Sequence, residues 1–195
     1  MRRSAANYRA IPPGAIKIDV PNTTQETDYT CGASALLAVC SYFGVGPESE
    51  WEYVADMKFG KGGSDPVHLA SAARKYGLRS TEYRGMTESD LVACLDAGRP
   101  VIMMLQAWAE RPPKSYQQRW NDGHWVVAIG YDDKVFYFED PSVSCGRAFI
   151  SRRDLASRWH DIEGRARKRV QRYGLALWRK APTRFGSSRS ARRID

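Results

Sequence analysis

The chain has 195 residues, a mass of 22.0 kDa, and a composition that is 43% hydrophobic and 27% charged. That length suits one domain with its own core, and the apolar content excludes a chain that is disordered throughout. No run of about eighteen apolar residues is present, which excludes an ordinary membrane-spanning helix. The basic start also lacks the apolar stretch of a secretory signal.

The net charge of +8 is concentrated at the C-terminal end of the sequence. Residues 150–195 contain 14 lysines and arginines against 4 acids, whereas residues 1–149 contain 16 basic and 18 acidic side chains. Such a basic end is most simply a solvated tail that aids solubility, and the alternative is docking onto an anionic partner such as nucleic acid or lipid headgroups. Residues 181–195 are rich in Gly, Ser and Arg and predict a flexible basic tail, while Pro12-Pro13-Gly14 predicts an irregular lead-in over residues 1–15.

Five helices are predicted from apolar spacing and from the residues at their ends. They cover residues 31–44, 49–57 with a capping box from Ser49 to Glu52, 65–76 with Asp65 as N-cap, 87–97 with a cap formed by Thr87 and Asp90, and 151–159 with Ser151 and Asp154 as caps.

Strands are expected mainly in the second half of the chain. They cover residues 78–84, 100–105, 124–131, 135–139, 147–150 and 173–179. The clearest hairpin joins the third and fourth of these through Asp132-Asp133-Lys134. A long loop at 107–123, which contains three large aromatic side chains, is of a length that is often functional. Early helices followed by later strands predict an α+β fold with a mostly antiparallel sheet.

The four cysteines stand at positions 31, 40, 94 and 145, and no spacing among them or the histidines indicates a zinc site. Cys31 and Cys40 are about 13 Å apart along one helix, too far for a disulfide. Cys40 and Cys94 fall on apolar helix faces and are predicted core residues, whereas Cys145 lies in a loop. Unpaired cysteines indicate a reducing, cytoplasmic setting, and we expect no metal or other cofactor.

Cys31 differs from the others because it stands where a loop gives way to a helix. The positive end of the helix dipole favours a thiolate there by about 0.3–2 kcal/mol, so a reactive thiol also needs a nearby imidazolium. Taken alone, a cysteine in this position is more often a small packing residue than a nucleophile. Since His68 and His160 fall at charged or solvated helix positions, His124 is the candidate partner.

His124 begins one strand of the predicted hairpin and Asp140 follows the other. The turn pairs Tyr131 with Val135, which places Val126 opposite Asp140 and makes His124 a diagonal neighbour of that carboxylate. Both side chains then point from the same face of the sheet. This is the arrangement in which a carboxylate orients a histidine, although a strand-end histidine bonded to backbone is the alternative interpretation.

The blocks NTTQETDYTCGASALLAV and GHWVVAIGYDDKVFYFEDPS together resemble the C39 family of papain-like cysteine peptidases. Family members carry a Gln six residues before the nucleophilic Cys, which matches Gln25 and Cys31. They also carry a Gly-His strand start and an Asp-Pro after the next strand, which match His124 and Asp140. The resemblance implies a stand-alone domain at 16–180 with a papain-like fold, in which N-terminal helices pack on a mostly antiparallel C-terminal sheet.

The resemblance also implies a mechanism. Cys31 would attack an acyl carbonyl as a thiolate, His124 would pass the proton to the leaving amine, and Asp140 would orient His124. Gln25, with the Cys31 backbone N–H, would bind the oxyanion. The expected substrate is a peptide or protein, such as a leader or other small peptide. Two alternatives remain: a thiol amidase or acyltransferase of similar fold, and a basic adaptor or peptide-binding module without catalysis.

Overall fold

The computed structural model describes residues 8–58, 63–111, 113–143, 147–179 and 190–194. Its helices are α1 (Cys31–Tyr42), α2 (Glu50–Asp56), α3 (Pro66–Lys75), α4 (Glu88–Asp96) and α5 (Arg152–Arg158). Its strands are β1 (Tyr8–Ala10), β2 (Arg79–Arg84), β3 (Val101–Gln106), β4 (Gly123–Tyr131), β5 (Val135–Glu139), β6 (Arg147–Ser151), β7 (His160–Glu163), β8 (Lys168–Gln171), β9 (Tyr173–Trp178) and β10 (Ser190–Arg193). Within this described part of the chain, no helix has the length and apolar character needed to cross a membrane.

The centre of the fold is a sheet in the order β1-β10-β6-β5-β4-β3-β9-β2. The six strands from β6 to β2 pair antiparallel throughout, and β10 adds to β6 in parallel. Strands β7 and β8 form a separate hairpin. The predicted α+β class, with early helices packed on a mostly antiparallel later sheet, is confirmed.

Helix α1 lies against β4 at the centre of the molecule. Nine of its twelve residues are buried, because its sequence is mostly small or aliphatic on every side. The approach is closest at Gly32, where an added Cβ would lie 3.0 Å from Cδ1 of Trp125. A glycine directly after Cys31 therefore lets the start of α1 sit close to the strand that carries His124.

Some of the helix caps predicted from the sequence form in the structure, and others do not. Thr87 and Asp90 form a complete capping box at α4, and Ser151 accepts a hydrogen bond from the Asp154 backbone at α5, both as predicted. The box predicted at Ser49 is wrong, since its side chain makes no capping bond. Asp65 also makes none, because its carboxylate instead accepts a bond from the Gly164 backbone N–H at 2.7 Å.

The β4–β5 hairpin contains a β-bulge that the sequence analysis did not predict. At the turn end Tyr131 pairs with Phe136 rather than with Val135, but the register shifts between Ala128 and Gly130. Beyond the bulge Val127 pairs with Glu139, which is the predicted register. The N-terminal segment crosses the sheet here, and a Cβ on Gly130 would lie 2.1 Å from the Ala15 carbonyl oxygen.

The lead-in and the tail each contribute a strand, which corrects the prediction that both are irregular. Tyr8–Ala10 pairs antiparallel with Ser190–Arg193, which in turn pairs with β6. Residues 181–189 and 195 of the predicted tail lie outside the described residues, as does Cys145. The domain boundaries at 16 and 180 stay a prediction.

Candidate active site

Cys31 is the first residue of α1, as the sequence predicted, and is 7% exposed. No acidic residue lies in the first turn of this helix, so nothing there offsets the positive end of the dipole. Thr30, which precedes it, is buried and its hydroxyl donates to the Thr27 carbonyl at 3.2 Å. This hydrogen bond therefore fixes the loop immediately before Cys31.

His124 and Asp140 are brought together by the hairpin. Nε2 of His124 lies 2.7 Å from Oδ1 of Asp140, and both residues are buried. The same carboxylate oxygen accepts the Ser142 backbone N–H at 2.9 Å, and the other oxygen accepts Nε1–H of Trp108 at 3.2 Å. Three donors thus fix the orientation of the Asp140 carboxylate, and through it the orientation of the imidazole.

The surroundings of His124 favour its protonated form. Burial alone would lower the pKa of His124, but the Asp140 charge and hydrogen bond, followed by the interaction with Cys31, outweigh it and raise that pKa. Because Nε2 is taken by Asp140, Nδ1 is the ring nitrogen left to exchange a proton with the thiol. An imidazolium beside a helix-start cysteine is the arrangement that stabilises a thiolate.

Gln25 lines the same cavity as His124 and is held there by three hydrogen bonds. Its backbone N–H donates to the Pro141 carbonyl at 3.1 Å and its Nε2 to the Thr27 carbonyl at 2.8 Å. Its Oε1 accepts from the Ser142 hydroxyl at 3.1 Å. Since the amide nitrogen carries two hydrogens, one donor remains after the bond to Thr27.

Two cavities meet at this site. One, of about 320 Å³, has Cys31, Trp125 and Asp161 in its wall. The other, of about 850 Å³, has Gln25, Trp108 and His124 in its wall. Three residues line both cavities, namely Asp28, Asn121 and Gly123. Cys31, Gln25 and His124 therefore line two adjoining cavities, whereas the buried Asp140 lines neither and reaches the site through His124.

Asp161 and Gln106 were not predicted, and they lock the start of the strand that carries His124. Nε2 of the buried Gln106 donates to Oδ1 of Asp161 at 2.9 Å, and its Oε1 accepts the Asp122 backbone N–H at 3.0 Å. Burial raises the pKa of Asp161 to about 7, against the opposing effects of hydrogen bonds from the Ile162 backbone and from Gln106 and of the charge on His124. A glutamine closing a buried apolar strand was the one available signal, whereas nothing local pointed to Asp161.

Trp108 is one of three large aromatic residues in the 107–123 loop, and the sequence does not distinguish it from the other two. It takes up a left-handed backbone conformation with φ 58°, which turns the chain just after β3. Its indole then reaches Asp140, a residue 32 positions later. That contact depends on the tertiary fold and has no local sequence signal.

Among the described residues, the other cysteines and histidines line neither of these cavities. Cys40 and Cys94 are buried in the core as predicted, and burial raises the pKa of Cys40 to about 12. His160 follows the charged end of α5 as predicted, but it also begins β7 and is buried, with Nε2 2.8 Å from the Arg119 carbonyl oxygen. Burial lowers the pKa of His160, which keeps its ring neutral.

A helix that starts at a cysteine and packs on an antiparallel sheet carrying a paired histidine and aspartate is the architecture of papain-like cysteine peptidases. The sequence matches the model of the Peptidase_C39 like family over residues 17–167, and the chain belongs to that family. None of the curated proteins matches the chain significantly.

Solved structures with the same fold include three peptidases. A Bacillus anthracis protein described as a C39-like peptidase is 17% identical with a TM-score of 0.65, covering 86% of this chain and 98% of that one. The peptidase domain of Streptococcus ComA, a bifunctional ABC transporter, is 18% identical with a TM-score of 0.56, over 80% and 95%. A double-glycine-motif protease of an AMS/PCAT transporter, in complex with a leader peptide, is 20% identical with a TM-score of 0.53, over 85% and 94%.

Proposed function

We propose that this chain is a cysteine peptidase in which Cys31 is the nucleophile, His124 the general acid and base, and Asp140 the residue that orients His124. The observation that carries the proposal is the 2.7 Å contact between Nε2 of His124 and Asp140, made on a buried ring that interacts with Cys31 at the start of α1. Membership in a peptidase family supports the class of reaction.

The proposed reaction runs in two halves through a thioester. The Cys31 thiolate attacks the carbonyl carbon of the scissile amide, the C–N bond breaks, and His124 gives its Nδ1 proton to the leaving amine. A water then attacks the thioester, passing a proton to His124 and the hydroxyl to the acyl carbon. The C–S bond breaks, and the thiolate and imidazolium are restored.

Gln25 is proposed to stabilise the oxyanion that forms in each half. Its remaining amide hydrogen and the Cys31 backbone N–H would point to the same oxygen, and neither donor adds a charge that would compete with the thiolate. The bonds from Gln25 to Thr27 and Ser142 support this role because they hold the amide in place before substrate arrives.

We further propose a peptide as substrate, for example a leader or other small peptide. The supporting observation is that one protein of the same fold was captured with a leader peptide. A cytoplasmic setting stays a prediction. It is supported by the three described cysteines, Cys31, Cys40 and Cys94, which are all free thiols.

The test is a digest of a peptide library by the wild-type chain and by Cys31→Ala, with Cys94→Ala as the matched control. We expect cleavage by the wild type and the control and none by Cys31→Ala, with thermal melts showing that all three are folded. A parallel labelling with limiting iodoacetamide at about pH 6 should modify Cys31 first, because Cys40 is a buried, weakly acidic thiol. Cleavage by Cys31→Ala, or preferential labelling of Cys40 or Cys94, would reject the proposal.

The alternative of acyl transfer to an amine uses the same residues. A digest in ¹⁸O-labelled water separates the two, since hydrolysis places the label in the new carboxylate and transfer does not. For the adaptor alternative, truncation after Lys180 is a poor test because it also removes β10 from the sheet. Replacing exposed basic residues leaves the sheet intact and is the better choice.

A further inference from the structure

A second concave site of about 420 Å³ lies where the long loop 107–123 meets α5 and β10. Its wall is formed by loop residues 113–117, by part of α5, and by Arg193. Its charged residues are four cations and one acid, namely Lys114, Arg153, Arg158, Arg193 and Asp154. No residue proposed for catalysis lies in this wall.

Arg158 is the unusual member of this set. It is 5% exposed, and the structure shows it stacked at 4.0 Å on the Tyr116 ring with one long bond, 3.4 Å, from NH1 to the Gln106 carbonyl oxygen. Among the described residues no carboxylate forms an ion pair with it. Buried arginines are normally paired, because a desolvated guanidinium without a counter-charge is costly.

The single acid of the site is already engaged. Oδ2 of Asp154 accepts from NH2 of Arg193 at 3.1 Å. Lys114 and Arg153 are exposed and, within the described ranges, neither forms an ion pair. Lys114, Arg153 and Arg158 therefore form no ion pair among the described residues, and the one acid near Arg158, Asp154, is shared with Arg193. A planar guanidinium such as that of Arg158 binds carboxylates with two parallel bonds.

The site is connected to the candidate active site through the same loop. Tyr116, under Arg158, accepts the Ala109 backbone N–H at 3.3 Å, and Ala109 follows Trp108, which holds Asp140. Cations that converge in one concavity suit one or two carboxylates. A nucleic-acid backbone would instead need a line of cations spaced along successive phosphates.

We propose that this pocket binds an acidic side chain of the peptide substrate, away from the bond to be cut; this substrate class rests on the proposed peptidase function. We define the carboxylate pocket as Lys114, Arg153, Arg158 and Arg193. It selects peptides that carry a glutamate or aspartate, and it anchors them beside the loop that borders the catalytic cleft.

The test measures binding with the full chain carrying Cys31→Ala, so that no cleavage is needed. The probes are a fluorescein-labelled short Gly/Ser peptide with two glutamates and the same peptide with two glutamines, followed by fluorescence anisotropy at about 0.15 M salt. The pocket variants are Lys114→Gln/Arg153→Gln, whose side chains are exposed, and Arg158→Gln. The control is Arg165→Gln/Lys168→Gln, which removes the same charge from the β7–β8 hairpin.

We expect the glutamate peptide to bind about tenfold tighter than the glutamine peptide, and each pocket variant to remove most of that difference. The affinity of the control variant for the glutamate peptide should stay within about twofold of that of the Cys31→Ala chain. If Arg158→Gln does not fold, the double variant carries the test alone. Equal affinity for the two peptides, an equal loss in the control, or binding of inorganic phosphate without a preference for glutamate overturns the proposal.

The two proposals fail separately. Retained cleavage by Cys31→Ala would reject the catalytic assignment and would leave the proposal of the carboxylate pocket untouched. The kinetic test uses a peptide that the wild type cleaves and a version in which a remote residue is replaced by glutamate. The glutamate should lower KM about tenfold in the otherwise wild-type chain and leave KM unchanged in Lys114→Gln/Arg153→Gln, with kcat unchanged in both.

Discussion

Replacing Glu139 by Gln tests whether a carboxyl group beneath the candidate site is neutral at ordinary pH. Glu139 is the last residue of β5 and is 1% exposed. Its Oε1 accepts the backbone N–H and the hydroxyl of Thr23 at 3.1 and 3.0 Å, while Oε2 has no partner within the described residues. Burial raises the pKa of Glu139 to about 8, which outweighs the bonds from Thr23.

The sign and size of the effect follow from that pKa. The unfolded chain releases the Glu139 proton near its ordinary pKa of 4.5, whereas the folded chain keeps it up to about 8. Wild-type stability therefore falls by about 1.4 kcal/mol for each pH unit between these values, and above them it stays at the lowered value and no longer changes with pH through this group. The full span corresponds to at most about 5 kcal/mol.

Gln resembles the protonated carboxyl and cannot ionise. Near pH 5 we expect Glu139→Gln and the wild type to have similar free energies of unfolding. Near pH 8.5 we expect the free energy of unfolding of Glu139→Gln to be several kcal/mol higher than that of the wild type. Urea denaturation followed by tryptophan fluorescence at three pH values measures this, with the exposed Glu52→Gln as control. An ionised Glu139 paired with the buried Arg147 would give the opposite result, a loss of about 3–5 kcal/mol at neutral pH, and would refute the reasoning.

Two other predictions concern the strand that carries His124. Asp140→Asn removes the largest influence that raises the pKa of His124, so an NMR titration should show that pKa lowered from its wild-type value. Peptidase activity should fall by about 10²–10⁴, and an unchanged pKa of His124 would contradict the reasoning. Gly123→Ala places a Cβ 2.3 Å from Oδ2 of Asp161 and should cost about 1–3 kcal/mol of unfolding free energy. The cost should largely disappear when Asp161→Ala is already present, and an additive double-mutant cycle would show that the contact is not its cause.

Much of the site was predictable because its signals are local. The start of α1 at Cys31 follows from a polar loop giving way to small apolar residues, and the hairpin follows from two β-rich runs around a short turn. The same-face placement of His124 and Asp140 needed only strand parity. The pairing of Tyr131 was wrong because a bulge where the N-terminal segment crosses the sheet cannot be read from the strand itself.

The parts that were missed depend on tertiary contacts. Strands β7 and β8 are four residues each and mostly polar, so their pattern is too short to distinguish from a loop. Asp161 lies in a basic stretch whose charge count hid a buried acid beside the cleft. Arg158 likewise looked like one more cation of a solvated end, and only the fold shows that it is buried.

Strands β1 and β10 pair at the edge of the sheet and join two segments that are far apart in the sequence. Tyr8 pairs with Arg192, so nearly the whole described chain lies between the two partners. Closing a loop of that length is entropically costly until the intervening chain has collapsed, so this edge assembles last and opens first. Each opening of this pair bares the backbone donors and acceptors of β10, which stays paired with β6, and at high protein concentration β10 becomes a template on which a second chain can add.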